Sequence, residues 1–483
     1  MTDAFDPEAF GRAFQAFLQH VHELVPDQDD SVRALATAHL GVEPGGLPSL
    51  SERFDPSEHP NLQLALDAMA ADDDGWQTFG LPTELERYGD FSLAALVSGR
   101  FRGPAAPCPP EFVNRPIDVD RTLPCLRFGI HLARFEGVPL VVLVAQSGRH
   151  GPPSLLVDLV APDRDVATRF VARLRERNVF RGKVLSFAFT EWGGFGVTFH
   201  RLPAIDRRHV VLPEADLDAI ERHTVGISRH ADALRAAGRH LKRGLLLYGP
   251  PGTGKTLSVM YLCGRMAGRT TLLLSGPGAG ALGQATAIAR ALEPSMVVLE
   301  DVDLVAMERT MPGMGTNPLL FQLLNEMDGL AEDADVVFVL TTNRAELLEP
   351  ALAARPGRID QAVEIALPDA DARRRLLELY TEGLGWDGEG RDDAVERTAG
   401  LSAAFMKELA RRAALVAAER EAGEVRVTGA DLAAALDDLL EHSAPVLRSA
   451  LGANPDLADG GPAAFGPAPA RLSTFVTQAP HPR

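Results

Sequence analysis

The residues best equipped for chemistry stand in one octapeptide. Gly244-Leu245-Leu246-Leu247-Tyr248 reads as a short buried strand that delivers the chain into Gly249-Pro250-Pro251-Gly252-Thr253-Gly254-Lys255-Thr256, and an apolar helix follows from Leu257. Glycines at this spacing let successive backbone N–H groups converge on phosphate oxygens, while the helix presents its positive dipole end to them. Lys255 then bridges the outer phosphates and the Thr256 hydroxyl ligates Mg²⁺. This is a Walker A loop in a strand-loop-helix context, and the ligand it implies is ATP with Mg²⁺.

A second apolar strand, Met296-Val297-Val298-Leu299, ends in Glu300-Asp301-Val302-Asp303. Carboxylates at the C-terminal end of a parallel strand beside the phosphate strand hold the metal and polarise an attacking water, the logic of a Walker B strand. The usual order is Asp then Glu. Here Glu300 takes the metal position with Thr256, and the shorter Asp301 takes the base position. A third strand, Val336 to Leu340, runs into Thr341-Thr342-Asn343-Arg344, which sets the Asn343 amide where it can reach a γ-phosphate or water. Two arginines, Arg355 and Arg358, then flank a Pro-Gly turn in Ala354-Arg355-Pro356-Gly357-Arg358-Ile359-Asp360.

In this order and spacing the elements resemble the AAA family of P-loop ATPases, over about Arg208 to Glu441 and including Asn325 to Gly329. The resemblance implies that Asn343 is sensor 1 and that Arg355 and Arg358 are arginine fingers reaching a neighbouring subunit's nucleotide. It thereby implies self-association into a ring, usually a hexamer. It also sets Val225 and Gly226 beside adenine, and it implies ATP hydrolysis that remodels, disassembles or translocates a protein client. The chain departs from the family at the pore loop, Ser275 to Gly283, where the aromatic position is Ala281. An alanine grips a threaded polypeptide less well than a large ring, so Leu282 is left as the contact. Gly400 to Lys407 replaces a Gly-Ala-Asp lid motif, and Lys407 reads either as a sensor 2 cation or as a helix-surface lysine. The Glu-Asp order is similar to that of the mitochondrial Rieske-protein translocase branch, and Phe180 to Lys183 is faintly similar to its middle domain, but no membrane helix matches that branch's anchor. The alternative reading is a slow or non-hydrolysing nucleotide switch that binds a partner through its N-terminal domain.

The elements that must position these residues fall into a sequence of units. The fold class expected is α/β: a P-loop NTPase with a parallel sheet flanked by helices over 206–368, followed by a helical lid over 369–442. An α+β N-terminal domain precedes it, with a helical region over 1–120 and a small α+β domain over 121–205. In the first, Phe10, Phe14, Phe17, Leu18 and Val21 recur at helical spacing and read as core. In the second, Leu126, Phe128, Ile130 and Leu132 alternate with Arg127, Gly129, His131 and Ala133, as in a strand with one buried face. Val184 to Phe189 and Phe195 to Phe199 read as further strands of that small domain. His200, His209 and Trp192 have no metal-ligand or stacking partners at diagnostic spacing, so they read as core or surface. Residues 443–483 are rich in Ala, Gly and Pro and read as a flexible tail.

Composition bounds the function classes. The chain has 483 residues, 46 % hydrophobic and 24 % charged, with a formal net charge of −18. That balance disfavours nucleic acid as a partner, because counterion release needs clustered cations. Cys108, Cys125 and Cys263 are too few and too scattered for a disulfide framework and fit a reducing compartment. No segment approaches the roughly 20 apolar residues a membrane helix needs, and the N-terminus does not read as a secretory signal. The expected location is the cytoplasm.

Overall fold

The computed structural model describes residues 10–11, 13–17, 31–87, 92–98, 106–147, 154–189, 195–275, 282–303, 318–329, 334–345, 358–421 and 423–441. The N-terminal unit contains α1 (Val32–Leu40), β1 (Ser49–Phe54), α2 (His59–Ala71), β2 (Gln77–Gly80), α3 (Leu93–Val97), β3 (Phe112–Asp118), β4 (Arg121–Leu126), β5 (Gly129–Phe135), β6 (Val138–Ser147), β7 (Ser154–Val160) and α4 (Arg164–Leu174). Five of these strands form one antiparallel sheet in the order β1-β7-β6-β5-β2, and β3 pairs with β4 separately. Glu136 and Gly137, at φ 53° and 79°, make the two-residue turn from β5 to β6. Successive positive φ angles match the right-handed twist of hairpin strands.

Helices cover both faces of this sheet. α2 and α4 supply Leu62, Leu66, Met69, Phe170 and Leu174 to one core, and α1 and α3 supply Val32, Ala36, Leu93 and Leu96 to the other. β5 is therefore buried on both faces, and the single buried face expected from its alternation is corrected: His131 and Ala133 are enclosed as fully as Ile130 and Leu132. The helical stripe at the N-terminus also departs from expectation. Phe10, Phe14 and Phe17 are exposed, with the Phe10 and Phe14 rings stacked on each other at 5.8 Å. Periodicity reports a face but not what covers it. Leu18 and Val21 lie outside the described residues, as do Trp192 and the tail at 443–483.

The chain next builds a second sheet from β8 (Val184–Phe189), β9 (Phe195–His200), β10 (Arg243–Tyr248), β11 (Thr270–Ser275), β12 (Ser295–Glu300), β13 (Val336–Thr342) and β14 (Gln361–Glu364). Its order is β14-β10-β13-β12-β11-β8-β9, parallel throughout except for β9 at the edge. Around it lie α5 (Glu214–Glu221), α6 (Lys255–Arg265), α7 (Leu282–Ala291) and α8 (Pro318–Asp328). Burial on both faces explains the unbroken apolar runs, as in β13, where all seven residues are buried.

Here the expected division of the N-terminal half is redrawn. β1 and β2, from the stretch expected to be helical, complete the sheet of β5 to β7, whereas β8 and β9 extend the second sheet. The crossing point is Arg181 to Lys183. The Arg181 guanidinium donates to the Glu293 carbonyl at 2.7 Å, the Gly182 N–H donates to Thr270 Oγ1 at 3.1 Å, and the Thr271 N–H donates to the Lys183 carbonyl at 2.8 Å. Once that register is set, Leu185, Phe187 and Phe199 share a core with Leu272 and Leu274.

The lid comprises α9 (Ala370–Tyr380), α10 (Arg391–Arg397), α11 (Ala403–Arg420) and α12 (Gly429–Glu441), packed around Phe405, Met406, Leu409, Leu432 and Leu436. The strip Val210-Val211-Leu212 joins it to the second sheet. Val210 and Leu212 are buried with the sheet, and Val211 packs on the lid.

Candidate functional site

The site lies where the parallel strands end. Tyr248 stands opposite Thr342 and Leu299 opposite Leu340, so the loop after β10, the acids after β12 and the amide after β13 emerge side by side. Gly249, Gly252 and Gly254 have φ angles of 145°, 75° and 107°, conformations that L side chains rarely adopt. Two of them are also sterically required. A Cβ on Gly249 would stand 2.3 Å from the Ile365 carbonyl oxygen, and one on Gly252 would stand 2.8 Å from Ser402 Oγ. The loop thus touches the lid directly, and the Ala404 N–H donates to the Gly252 carbonyl at 2.9 Å.

Lys255 opens α6 and is 6 % exposed. Its ammonium donates to the carbonyls of Gly249 at 2.9 Å and Pro250 at 2.7 Å. Burial lowers its pKa to about 8, partly offset by the carboxylates of Asp301 and Asp303. Thr253, Pro250 and Pro251 complete the loop, with Thr253 Oγ1 donating to the Pro250 carbonyl at 2.9 Å. Glu300 is pushed toward its protonated form by burial and by Asp301, while a hydrogen bond from Thr256 opposes the shift. Its Oε1 is buried with no hydrogen-bond partner among the described residues.

That orphaned oxygen is the test of whether the residues fit a metal ion. A buried carboxylate oxygen without a donor is costly, and a hard cation favours oxygen ligands such as Glu300 and the Thr256 hydroxyl. The donor set fits Mg²⁺.

Asp301 has φ 48°, unusual for a residue with a side chain. Its N–H donates to Thr341 Oγ1 at 3.0 Å, and its Oδ1 accepts from Asn343 Nδ2 at 3.3 Å. Burial first, and then Asp303, raises its pKa, with Lys255 and Asn343 opposing. Asp303 is a functional-site residue to which the sequence reading assigns no role. It is 3 % exposed and accepts from Thr342 Oγ1 at 2.8 Å and from the Asn343 N–H at 3.2 Å, fixing the turn that carries Asn343. An acid two residues beyond a strand-end carboxylate and flanked by apolar residues was the available signal.

Other expected residues fall elsewhere. Arg358 pairs with Asp328 of the same chain, and Asp360 accepts from the Gly244 N–H at 2.9 Å, which ties that segment to β10. Arg355 and Ala281 lie outside the described residues. Leu282 is fully buried, so it is not available as a contact for a threaded chain. Val225 and Gly226 sit in a π-helical turn, 222–226, and Val225 lines a cavity with Arg265 and Met266 at the far end of α6. Val225 thus borders the end of α6 opposite Lys255. An eleven-residue helix is about 16 Å long, which separates the two ends. Lys407 is exposed on α11. His200 accepts from or donates to Ser186 Oγ at 2.7 Å, and His209 Nδ1 accepts from the Asp206 N–H at 2.9 Å, both structural contacts.

A Walker loop at the end of an inner parallel strand, with acids on the second neighbouring strand and an amide between them, defines the P-loop nucleoside triphosphatase fold. Within it, residues 245–367 match the family model described as AAA, ATPase family associated with various cellular activities. The matched segment holds the loop, the strand-end acids and the amide. It is similar to the ATP-dependent zinc metalloprotease FtsH 4 of Sphaerobacter thermophilus, 29 % identical over 399 residues, which is 76 % of this chain and 58 % of that protein. FtsH 2 of the same organism is 35 % identical over 223 residues, 44 % of this chain and 34 % of that protein. The proteasome-activating nucleotidase of Methanothermobacter thermautotrophicus is 34 % identical over 211 residues, 41 % of this chain and 51 % of that protein. The chain thus spans between a third and three fifths of the length of these relatives. Among the described residues no helix is long and apolar enough to cross a membrane.

Proposed function

We propose that the protein binds ATP with Mg²⁺ on the loop 249–256, hydrolyses it, and couples hydrolysis to remodelling, disassembly or translocation of a protein client. The observation that carries this reading is the set of strained charges at the strand ends: Lys255, Glu300 and Asp301 are each pushed toward neutrality by burial. A triphosphate and a divalent cation supply the countercharges they lack. Mg²⁺ would be held by Thr256 and Glu300 and would neutralise phosphate charge. Lys255 would exchange its two carbonyl partners for phosphate oxygens. Asp301 would accept a proton from the attacking water, and Asn343 would orient that water or the γ-phosphate. Asp301 is suited to the task because its raised pKa strengthens it as a base.

In the same proposal the protein self-associates into a ring, with a hexamer as the expected form. Arg358 would leave Asp328 for the neighbouring nucleotide, Arg355 would join it, and the N-terminal unit would recruit the client. The fused β8-β9 edge makes that unit mechanically continuous with the ATPase sheet. Cytoplasmic location is supported by the three cysteines, all free thiols, and placement beside the Rieske-protein translocase branch rests on the Glu-Asp order and the faint similarity of Phe180 to Lys183.

Calorimetric titration with ATP and phosphate-release assays on the full chain test the reading. Lys255→Ala is expected to lose ATP binding while keeping its melting temperature within a few degrees. ATP binding of equal strength in that variant would remove the loop from the nucleotide site.

A further inference from the structure

The far end of α6 carries a second concentration of charge. A cavity of about 400 Å³ opens there, lined by Val225, Ser228, Arg229, Arg265, Met266, Arg269, Pro294 and Asp335 among others. Three arginines from separate turns of chain face a single carboxylate. That carboxylate is already engaged, since Asp335 pairs with Arg269 at 2.5 Å in a bridge shielded from solvent. Arg269 Nε also donates to Ser228 Oγ at 2.9 Å, and its Nη1 donates to the Ser295 carbonyl at 3.1 Å. Arg269 is thereby fixed in place. The guanidinium groups of Arg229 and Arg265 make no hydrogen bond or ion pair among the described residues, and both are exposed at the cavity mouth.

The stretch of chain that carries Arg229 is basic. Between Arg222 and Arg243 the chain carries Arg222, Arg229, Arg235, Arg239, Lys242 and Arg243 against one acid, Asp232, although the whole chain has a net charge of −18. Of the chain's cations, Arg229, Arg265 and Arg269 line the concavity itself, and cations so grouped focus potential into it. Arginine forks match phosphate oxygens bidentately. The size suits a small molecule, and Val225, Met266 and Pro294 supply an apolar wall beside the cations.

We propose that this cavity binds a small phosphorylated anion at a site distinct from the phosphate loop. Arg229 and Arg265 grip the phosphoryl oxygens, and the Ser228 hydroxyl, whose oxygen accepts from Arg269, donates its proton to the same group. The fixed Arg269–Asp335 pair forms the floor. The inference is independent of whether ATP is hydrolysed at the other end of α6.

The probe is inorganic pyrophosphate, titrated calorimetrically into the full chain without divalent cations in a Lys255→Ala background, which disables the phosphate loop. One saturable site per chain is expected, weakened at least tenfold by the double substitution Arg229→Ser with Arg265→Ser. Amide hydrogen exchange on the Lys255→Ala protein gives a reading that needs no arginine variant: pyrophosphate should protect 264–269 and 226–230. Absence of saturable heat, heat unchanged in the double variant, or protection confined to 249–256 would each overturn the proposal. So would retention of a long polyanion such as single-stranded DNA with no binding of pyrophosphate, because the occupant would then be a nucleic acid.

Discussion

The two sheets differ in the kind of polar group they bury. In the N-terminal sheet Asp158 is 3 % exposed, accepts from Ser51 Oγ and from the Leu93 N–H at 3.0 Å, and so pins α3 to β7. Gln63 accepts from the Leu126 N–H at 2.9 Å and His59 meets the Leu126 carbonyl at 3.0 Å, closing β4 onto α2. Among the described residues His131 Nε2 has no partner, but burial lowers its pKa to about 4, so the ring is neutral. At the strand ends of the second sheet the buried groups are acids and an ammonium, and one carboxylate oxygen is orphaned. Polar groups that complete one another stabilise a fold. Charges held short of partners are what a charged ligand can complete.

Substitutions can break or sharpen this contrast. The largest effect is expected at Asp301→Asn: ATP binding persists and phosphate release falls by about 10²- to 10⁴-fold, the usual contribution of a general base. Turnover at the parent rate would return the role of base to another group.

Asp303→Ala and Asp158→Ala form the next comparison, since each removes a buried acceptor serving two donors. Both are expected to cost about 1–3 kcal/mol in denaturant unfolding. Only Asp303→Ala should also slow phosphate release, by about tenfold, because it frees the turn carrying Asn343. Equal turnover in the two variants would reduce Asp303 to a structural residue.

Acid should separate the sheets further. His59 and His131 both have pKa values lowered to about 4 by burial, against an unfolded value of about 6.5. Between those values the unfolded chain binds more protons, so stability rises with pH across the window and is lost as pH falls from 6.5 toward 4. Urea midpoints followed by Trp76 fluorescence at pH 7 and pH 5 should show the loss, and replacing His131 with Gln should shrink it.

The smallest effect is expected at Gly252→Ala. A Cβ at φ 75° would press on Ser402 Oγ at 2.8 Å and on Ala404 Cβ at 3.0 Å. We expect a cost of about 1–2 kcal/mol, with weaker ATP binding as the lid is pushed from the loop. A thermal melt and a titration read the two components.

Much of the half that carries the phosphate loop was legible in the sequence, because its signals are local. Glycine spacing, an apolar strand and the residue that ends it are contiguous in the chain, so Lys255, Thr256, Glu300, Asp301 and Asn343 could be read directly. The N-terminal half was less legible. Its sheet is assembled from strands as distant as β1 and β7, and an alternating pattern such as that of β8 does not say which sheet it will join. The position of Val225 was equally hidden, since proximity in sequence to the phosphate strand does not decide which end of α6 a segment packs against.

By itself the sequence determined which groups end the apolar strands: a glycine loop with Lys255, paired acids and an amide. Only the tertiary structure decided that Asp303 steadies Asn343, that Ser402 and Ala404 meet Gly252, and that three arginines converge at the far end of α6. The physical reason is range. Backbone conformation and strand burial are written in neighbouring residues, whereas charge compensation depends on which distant groups packing brings within a few ångströms.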